Sequence, residues 1–201
     1  MKAVAIDPYP AYTSAIVTHL PKAAIVYDHF YVIKLFNDAL SNLRREIQRQ
    51  AVTKEGKRAI TGIRCLLLKR VENLDETKNE RQRLQTALEL NAPLATGYYL
   101  KEDLGQLWKQ PNKGMASRFL DGWIERALSA NIPLPTTFAR TLKRHRQGIL
   151  TYYDYHITTG PLEGINNKIK TLKCQAYGYP DIDFFKLRIL GLHGVKYVLV
   201  G

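Results

Sequence analysis

The side chains best suited to chemistry are concentrated in residues 158–173. This stretch holds one acid, Glu163, followed by amides and lysines: Asn166, Asn167, Lys168, Lys170 and Lys173. On a helical period Glu163, Asn167 and Lys170 fall on one face. Another face, made of Ile165, Ile169 and Leu172, can pack against a core. The stretch therefore predicts a helix on which a carboxylate lies among amides and cations.

The start of this predicted helix leaves two interpretations of Glu163. Gly160 can serve as the N-cap, and Pro161 suits the first helical position because its missing N–H would be unpaired there. Glu163 then lies three residues after the cap, where a glutamate commonly accepts a hydrogen bond from the cap N–H and favours the helix dipole. A capping role and a chemical role both remain open from this stretch alone.

A second acid, Asp7, follows a short apolar run that suits a buried strand. Residues 3–6 and 24–27 are such runs, and they end at Asp7 and Asp28. Between them, residues 11–20 suit a short helix that Pro21 ends. A strand, a helix and a strand in so few residues predict a compact parallel unit. Since a strand buried on both faces needs a sheet around it, further strands are expected.

From Ile33 onward the apolar residues recur at helical spacing, which predicts a series of amphipathic helices. One is expected to open at residues 73–76 and run to Leu88, and the apolar end of the chain, residues 184–199, also has helical spacing. Trp123 and the other aromatic residues of the region are expected in the core. The densest basic cluster contains Arg140, Lys143, Arg144, His145 and Arg146. A helix-dipole role and a contact with a polyanion both remain open for it.

The composition favours a polyanionic partner. The 201 residues include 30 Lys and Arg against 18 Asp and Glu, a formal net charge of +12, and nucleic acid is the first candidate. No apolar run reaches the roughly 18 to 20 residues of a membrane span, and no leader pattern opens the chain, so a cytoplasmic protein without a membrane partner is expected. Cys65 and Cys174 lack zinc-site or disulfide spacing.

Several motifs occur together in the order found in one family. They are Asp7 with Tyr12 and residues 21–23, residues 28–34, residues 94–102, and residues 163–170 with residues 176–179. Each motif alone is weak, but the shared order is specific. The chain resembles the bacterial insertion-sequence transposases of the ISL3 group, which carry a DDE catalytic domain, over nearly its whole length.

The resemblance implies an α/β fold that is mostly helical. The expected fold is an incomplete RNase H-like domain, with a strand-helix-strand unit and a catalytic helix, interrupted by a large all-α insertion. Its expected parts are residues 1–36 for the sheet unit, residues 37–150 for the insertion, and residues 151–201 for the glutamate helix and a C-terminal helix.

The resemblance also implies a site. In the family three carboxylates bind two divalent ions and move DNA strands; Asp7 matches the second carboxylate and Glu163 the third. Two Mg²⁺ ions with hard oxygen ligands can activate a water or a 3′-hydroxyl and stabilise a leaving oxygen. Asn166, Asn167, Lys168, Lys170 and Lys173 are then expected to position phosphates of double-stranded DNA at the element ends.

The chain departs from the family pattern in two ways. The first carboxylate should lie upstream, on a strand that precedes Asp7, so the chain is expected to be a truncated fragment that is inactive alone. Tyr31 stands where the pattern usually has histidine, and a phenol can hydrogen-bond but is a poor acid or base at neutral pH. Asp28 could approach the metals or cap the following helix, with the structural role slightly favoured.

Three functional hypotheses follow. The first is a fragment of the catalytic domain of a DDE transposase that acts on element-end DNA with Mg²⁺ when whole. The second is a non-catalytic DNA-binding regulator that binds element ends or full-length transposase subunits and inhibits transposition. The third is a decayed remnant without function. In each case a sheet without its neighbouring strands exposes an edge, which predicts marginal stability or self-association.

Overall fold

The computed structural model describes residues 1–51 and 53–194, with the side chains of residues 193 and 194 excepted. The chain divides into two compact units, Met1–Ile157 and a second unit that begins at Thr158. Among the described residues, no helix is both long enough and apolar enough to cross a membrane.

The first unit opens with the predicted strand, helix and strand. Strand β1 is Ala3–Ile6, helix α1 is Pro10–His19 and strand β2 is Ala24–Tyr27. The two strands are parallel, with Ala3 opposite Ala24 and Ile6 opposite Tyr27, and they form a two-stranded sheet within the described residues. The apolar runs and their parallel pairing are therefore confirmed.

Helices make up most of the rest of the first unit. They are α2 His29–Gln50, α3 Lys54–Ile60, α4 Arg64–Leu68, α5 Glu80–Glu89, α6 Ala92–Leu104, α7 Lys113–Ser129, α8 Pro133–Leu150 and α9 Tyr152–Tyr155. Single 3₁₀ turns occur at Val71–Asn73, Glu76–Lys78 and Leu107–Lys109. Asn91 and Asn112 cap α6 and α7 by accepting hydrogen bonds from Leu94 N–H and Met115 N–H, both at 2.9 Å.

The predicted helix opening at residues 73–76 is wrong. Asp75 caps only the 3₁₀ turn Glu76–Lys78, by accepting a hydrogen bond from the Thr77 N–H at 3.0 Å. Asn79 then takes a left-handed conformation with φ 52°, which ends the turn, and α5 begins at Glu80. The Glu80 carboxylate turns back and accepts a hydrogen bond from the Asp75 N–H at 2.9 Å, which holds this connection in place.

The core of the first unit consists of two apolar clusters. The first joins the sheet to α2, α6, α7 and α8 and includes Tyr27, Phe36, Trp123 and Phe138. Trp123 is fully buried, and its Nε1–H donates to the carbonyl of Leu100 at 2.9 Å, so the predicted core role is confirmed. The second cluster lies among α2, α4, α5 and α6. The first cluster packs on the amino-terminal part of the long helix α2, and the second packs on residues farther along the same helix.

The second unit contains two helices in its described part, α10 Gly160–Gln175 and α11 Ile182–Gly194. Tyr177 and Gly178 have positive φ values of 52° and 109°, which end α10 and turn the chain. The Asp181 carboxylate then accepts hydrogen bonds from the N–H groups of Asp183 and Phe184 at the start of α11. The rest of the predicted C-terminal helix lies outside the described residues.

Taken together, the chain is mostly helical with a small parallel sheet, as expected for an α/β fold with a large helical part.

Candidate active site

Two acids stand at the carboxyl edge of the sheet. Asp7 and Asp28 directly follow Ile6 and Tyr27, the last paired residues of β1 and β2. The Asp28 N–H donates to the Ile6 carbonyl at 3.0 Å, which continues the pairing one residue beyond β2. Because neighbouring strands lie about 4.8 Å apart, the backbones of Asp7 and Asp28 lie next to each other at this edge.

Asp28 is held by the helix that it opens. The side chain is 1% exposed, and its Oδ1 accepts a hydrogen bond from the Phe30 N–H at 2.7 Å. This is the N-cap geometry in which an aspartate pairs one of the orphan donors of a helix start. Of the two roles left open by the sequence, the structure shows the capping role.

Asp7 is held by a tight turn between β1 and α1. The Tyr9 N–H donates to the Asp7 carbonyl at 2.6 Å, and α1 begins at Pro10. The Asp7 side chain is half-buried. This turn fixes the backbone that carries the carboxylate at the sheet edge.

His29 follows Asp28 and lies among aromatic rings. Its ring centre is 4.0 Å from that of Phe30, 5.7 Å from that of Trp108 and 6.0 Å from that of Tyr152. Burial lowers the pKa of His29, the charge of Asp28 partly opposes this, and Arg70 adds to the lowering. His29 is therefore expected to be neutral at physiological pH and to add no positive charge beside the carboxylates.

Tyr31, which stands where the family pattern usually has histidine, lies in the first turn of α2. It is half-buried, and the Lys34 ammonium lies 5.8 Å from the centre of its ring. This distance suits a cation–π contact with a lysine one turn along the helix. Tyr31 thus has a local packing partner on its own helix.

Glu163 lies in the first turn of α10, in the second unit. Gly160 is the first helical residue and Thr159 is the cap, so the prediction of Gly160 as the N-cap is wrong. The reason is that the Thr159 carbonyl already accepts the first helical hydrogen bond, from the Glu163 N–H at 3.0 Å. Glu163 is therefore four residues past the cap, one beyond the position from which a glutamate reaches back to the cap N–H.

The Glu163 side chain is exposed and makes no capping hydrogen bond within the described residues. The structure thus gives no support to the capping interpretation. A carboxylate in this first turn still interacts favourably with the positive end of the helix dipole.

The other predicted site residues of α10 are also exposed. They are Asn166, Asn167, Lys168, Lys170 and Lys173. The apolar face is turned the other way, since Leu172 is buried and Ile165 and Ile169 are half-buried. The predicted division of this helix into a packing face and a polar face is thus confirmed.

The donor set has the right chemistry for a divalent ion but is small. Asp7 and Glu163 belong to different units, and each offers the hard carboxylate oxygens that Mg²⁺ prefers. Within the described residues, no group of three or more His, Cys, Asp or Glu side chains could hold a metal ion. The two carboxylates therefore fit in donor type, and their joint role belongs to the proposal below.

Lys101 is a buried residue that sequence reasoning missed. It is 6% exposed, and its ammonium donates to the carbonyls of Leu67 and Lys69, at 2.7 and 2.6 Å, at the end of α4. Burial lowers its pKa, which the neighbouring Glu102 opposes. Its spacing in the sequence indicates this burial, because Lys101 lies three residues after Tyr98 and three before Leu104, on the buried face of α6.

Known proteins resemble most of the chain. The transposase for insertion sequence element IS1001 of Bordetella parapertussis is 37% identical over 191 residues, which are 94% of this chain and 47% of that protein. The transposase for insertion sequence element IS1557 of Mycobacterium tuberculosis is 30% identical over 126 residues, 63% of this chain and 28% of that protein. A Lactococcus lactis protein described as an ATP-dependent protease is 36% identical over 104 residues, 50% of this chain and 31% of that protein. No solved structure matches.

The chain spans about half the length of the IS1001 transposase. Residues 1–189, which include both Asp7 and Glu163, match the ISL3 group of DDE proteins, whose description is transposase. The chain therefore belongs to the ISL3 family of DDE transposases.

Proposed function

We propose that this chain is part of the catalytic domain of a transposase that cuts and joins insertion-element DNA. The observation that carries the proposal is the position of Asp7 at the carboxyl end of a parallel strand, within the residues that match the family. Carboxylates at such strand ends are held on a rigid element and face a shared edge, which suits a site that needs fixed ligand geometry.

Asp7 and Glu163 are the ligands that we assign to a divalent metal site. Both supply carboxylate oxygens, and the exposure of Glu163 together with its place beyond the capping position leaves its carboxylate outside the helix hydrogen bonding. When bound, two Mg²⁺ ions supply a polarised attacking oxygen and stabilise the leaving oxygen of a phosphodiester.

The polar face of α10 is assigned to the DNA backbone. Asn167 and Lys170 share the face of Glu163, and Asn166, Lys168 and Lys173 extend the polar surface along the exposed side of the helix. Lysines neutralise phosphates and amides donate hydrogen bonds to them, which fixes the register of a duplex without reading its sequence. We therefore assign double-stranded DNA as the substrate. We expect the protein to act on this DNA in the bacterial nucleoid.

The fold that we assign is RNase H-like, with residues 1–36 and 151–201 forming the catalytic part and residues 37–150 forming a helical insertion. The parallel β1–β2 pair at the start and the series of helices that follows support a sheet part and a helical part, and α2, His29–Gln50, runs through the assigned boundary and joins them.

Metal binding tests the assignment of Asp7 and Glu163. Mn²⁺ binding to the chain, followed by electron paramagnetic resonance, should weaken by about tenfold or more in Asp7→Asn and in Glu163→Gln, because loss of even an outer-shell partner costs 10- to 100-fold. If both residues hold the same ion, the double variant should lose little more Mn²⁺ affinity than either single variant does.

Glu125→Gln is the matched control, since Glu125 is an exposed acid on α7. It should bind Mn²⁺ as the unaltered chain does. Full binding by both single variants would refute the assigned ligands, and independent, additive losses would show that the two residues do not share an ion.

A further inference from the structure

Helix α8 carries three exposed cations on one side. Arg140, Lys143 and Arg144 are exposed, and none of them forms an ion pair within the described residues. The sequence of α8, PLPTTFARTLKRHRQGIL, contains no aspartate or glutamate. We refer to Arg140, Lys143 and Arg144 as the α8 cationic face.

The remaining basic residues of this helix have structural roles. Arg146 donates two hydrogen bonds to the Asp121 carboxylate, at 2.9 and 2.8 Å, and a third to Ser117. The pair raises the pKa of Arg146 and lowers that of Asp121. His145 packs edge-on against Tyr27, with ring centres 4.9 Å apart. The basic cluster of the sequence thus separates into two packed residues and three that face solvent.

Arg144 of the α8 cationic face borders an open cleft that runs along β2. The cleft has a volume of about 340 Å³; Ala23 and Ala24 line it on the strand side, and Arg144 and Gln147 line it on the helix side. Lys22, which is exposed, precedes these alanines in the chain. Tyr27, the residue before Asp28, also lines the cleft, so the cleft extends to the carboxyl end of β2.

The chemistry of this surface fits a phosphate backbone. Arg140 and Arg144 lie one turn apart, a rise of about 6 Å along the helix, so the two guanidinium groups can contact separate phosphates of one DNA strand. A membrane surface fits poorly, because the exposed side of α8 presents Thr137, Gln147 and the three cations, and its apolar side is buried. A helix that lies in a membrane interface needs that apolar side to insert.

We propose that the α8 cationic face is a second binding site for the phosphate backbone of double-stranded DNA, separate from the polar face of α10. The site rests on the proposed function only in that its ligand is DNA, and it needs no metal ion. A duplex bound to this face would lie against α8, which packs on β2, the strand that leads into Asp28.

Metal-free DNA binding tests this site. The affinity of the 201-residue chain for a labelled duplex is measured by fluorescence anisotropy in EDTA, at salt concentrations between 50 and 200 mM. In R140Q/K143Q/R144Q the slope of log K against log salt should become less steep by about 2.7, because each phosphate contact contributes about 0.9. Over this range, the salt-induced weakening of binding should therefore be about 40-fold smaller than in the unaltered chain.

The charge-matched control is K54Q/K57Q/R58Q on α3. These cations are also exposed, and α3 packs on α2 and α5, away from the sheet. This variant loses the same net charge and should change the slope by less than about 1. An equal change in the two triple variants would overturn the proposal, because it would show an effect of net charge alone.

Two further measurements decide the remaining outcomes. R140K/R144K keeps both positive charges, so the slope of log K against log salt should not change. A less steep slope in this variant would overturn a contact with DNA phosphates that depends on charge alone. EDTA removes divalent ions from the assay, so failure of the metal assignment leaves this test intact. Tighter binding of double-stranded RNA through the same three residues would overturn the assignment to DNA.

Discussion

Gly148 of α8 lies against the ring of Tyr27 at the end of β2. A Cβ placed on Gly148 would stand 2.6 Å from Cε2 of the ring and closer still to Cδ2, nearer than side chains pack. Tyr27 is buried, and its hydroxyl lies 3.3 Å from that of Thr13, so the ring has little freedom to move away. This contact sets the distance between α8 and the sheet, and with it the position of the strand end that leads into Asp28.

Replacing this glycine should therefore destabilise the sheet unit. Gly148→Ala is expected to lower the free energy of unfolding by about 1 to 3 kcal/mol, the usual cost of overpacking a core. Thermal unfolding followed by circular dichroism measures the change. Gly122→Ala is the control, because a Cβ there meets only the end of the Arg126 side chain at 3.5 Å. It should be neutral or stabilise by about 0.5 to 1 kcal/mol, since alanine favours a helix interior. Equal stability of the two variants would contradict the close contact.

The capping role of Asp28 predicts different results for two substitutions. Asp28→Asn keeps an oxygen that can accept the Phe30 N–H, whereas Asp28→Ala removes it and should cost about 0.5 to 2 kcal/mol of stability. Urea unfolding of both variants separates them. If Asp28 acts through capping, Mn²⁺ affinity should be unchanged in Asp28→Asn. A stable Asp28→Asn variant that fails to bind Mn²⁺ would show that the carboxylate is itself a ligand.

Local patterns predicted the sheet unit and both faces of α10, because these depend on residues near in sequence. Apolar runs followed by Asp7 and Asp28 were enough to place two parallel strands and their carboxyl edge. The cap of α10 was missed by one residue, since Thr159 and Gly160 are both acceptable caps and the backbone hydrogen bond decides between them.

Long-range partners explain the other differences. The role of Arg146 depends on Asp121, 25 residues earlier, and the burial of Lys101 depends on carbonyls of Leu67 and Lys69 in another helix. Neither partner is visible in a local pattern. Asp7 and Glu163, the ligands that we propose, are likewise far apart in sequence and fall in different units, so no local pattern pairs them.

Acid unfolding should reveal the hydrogen bonds of Asp75. The Thr77 hydroxyl and Lys78 donate to its carboxylate and lower its pKa to about 2, below the value of about 3.9 in unfolded chains. Because the folded pKa is the lower one, the contribution to stability is present above about pH 4 and is lost as pH falls towards 2. Urea midpoints measured from pH 5 to pH 2 should fall less steeply in Asp75→Asn than in the unaltered chain.

Thr77→Ala removes the donor that lowers the pKa of Asp75 most, and it should also make the acid dependence shallower. Because Asp75 is at the surface, 0.5 M salt should weaken the effect of the Lys78 charge on the pKa of Asp75. The effect of the Thr77 hydrogen bond on this pKa should remain. An unchanged acid slope in both variants would show that Asp75 does not contribute to the pH dependence of stability.

Self-association is expected at the outer side of the sheet unit. Within the described residues β1 pairs only with β2, so its other edge can accept a strand. Helix α1, which follows β1 in the chain, exposes apolar side chains, with Tyr12 55% and Val17 60% exposed. Light scattering during size-exclusion chromatography should show mass rising with protein concentration, and Val17→Lys should reduce the rise by adding charge to the apolar surface.

Thr18→Lys, which adds the same charge at an exposed polar position of α1, should have a smaller effect on this rise in mass. A monodisperse monomer with a sharp cooperative melt at all concentrations would contradict the exposed edge.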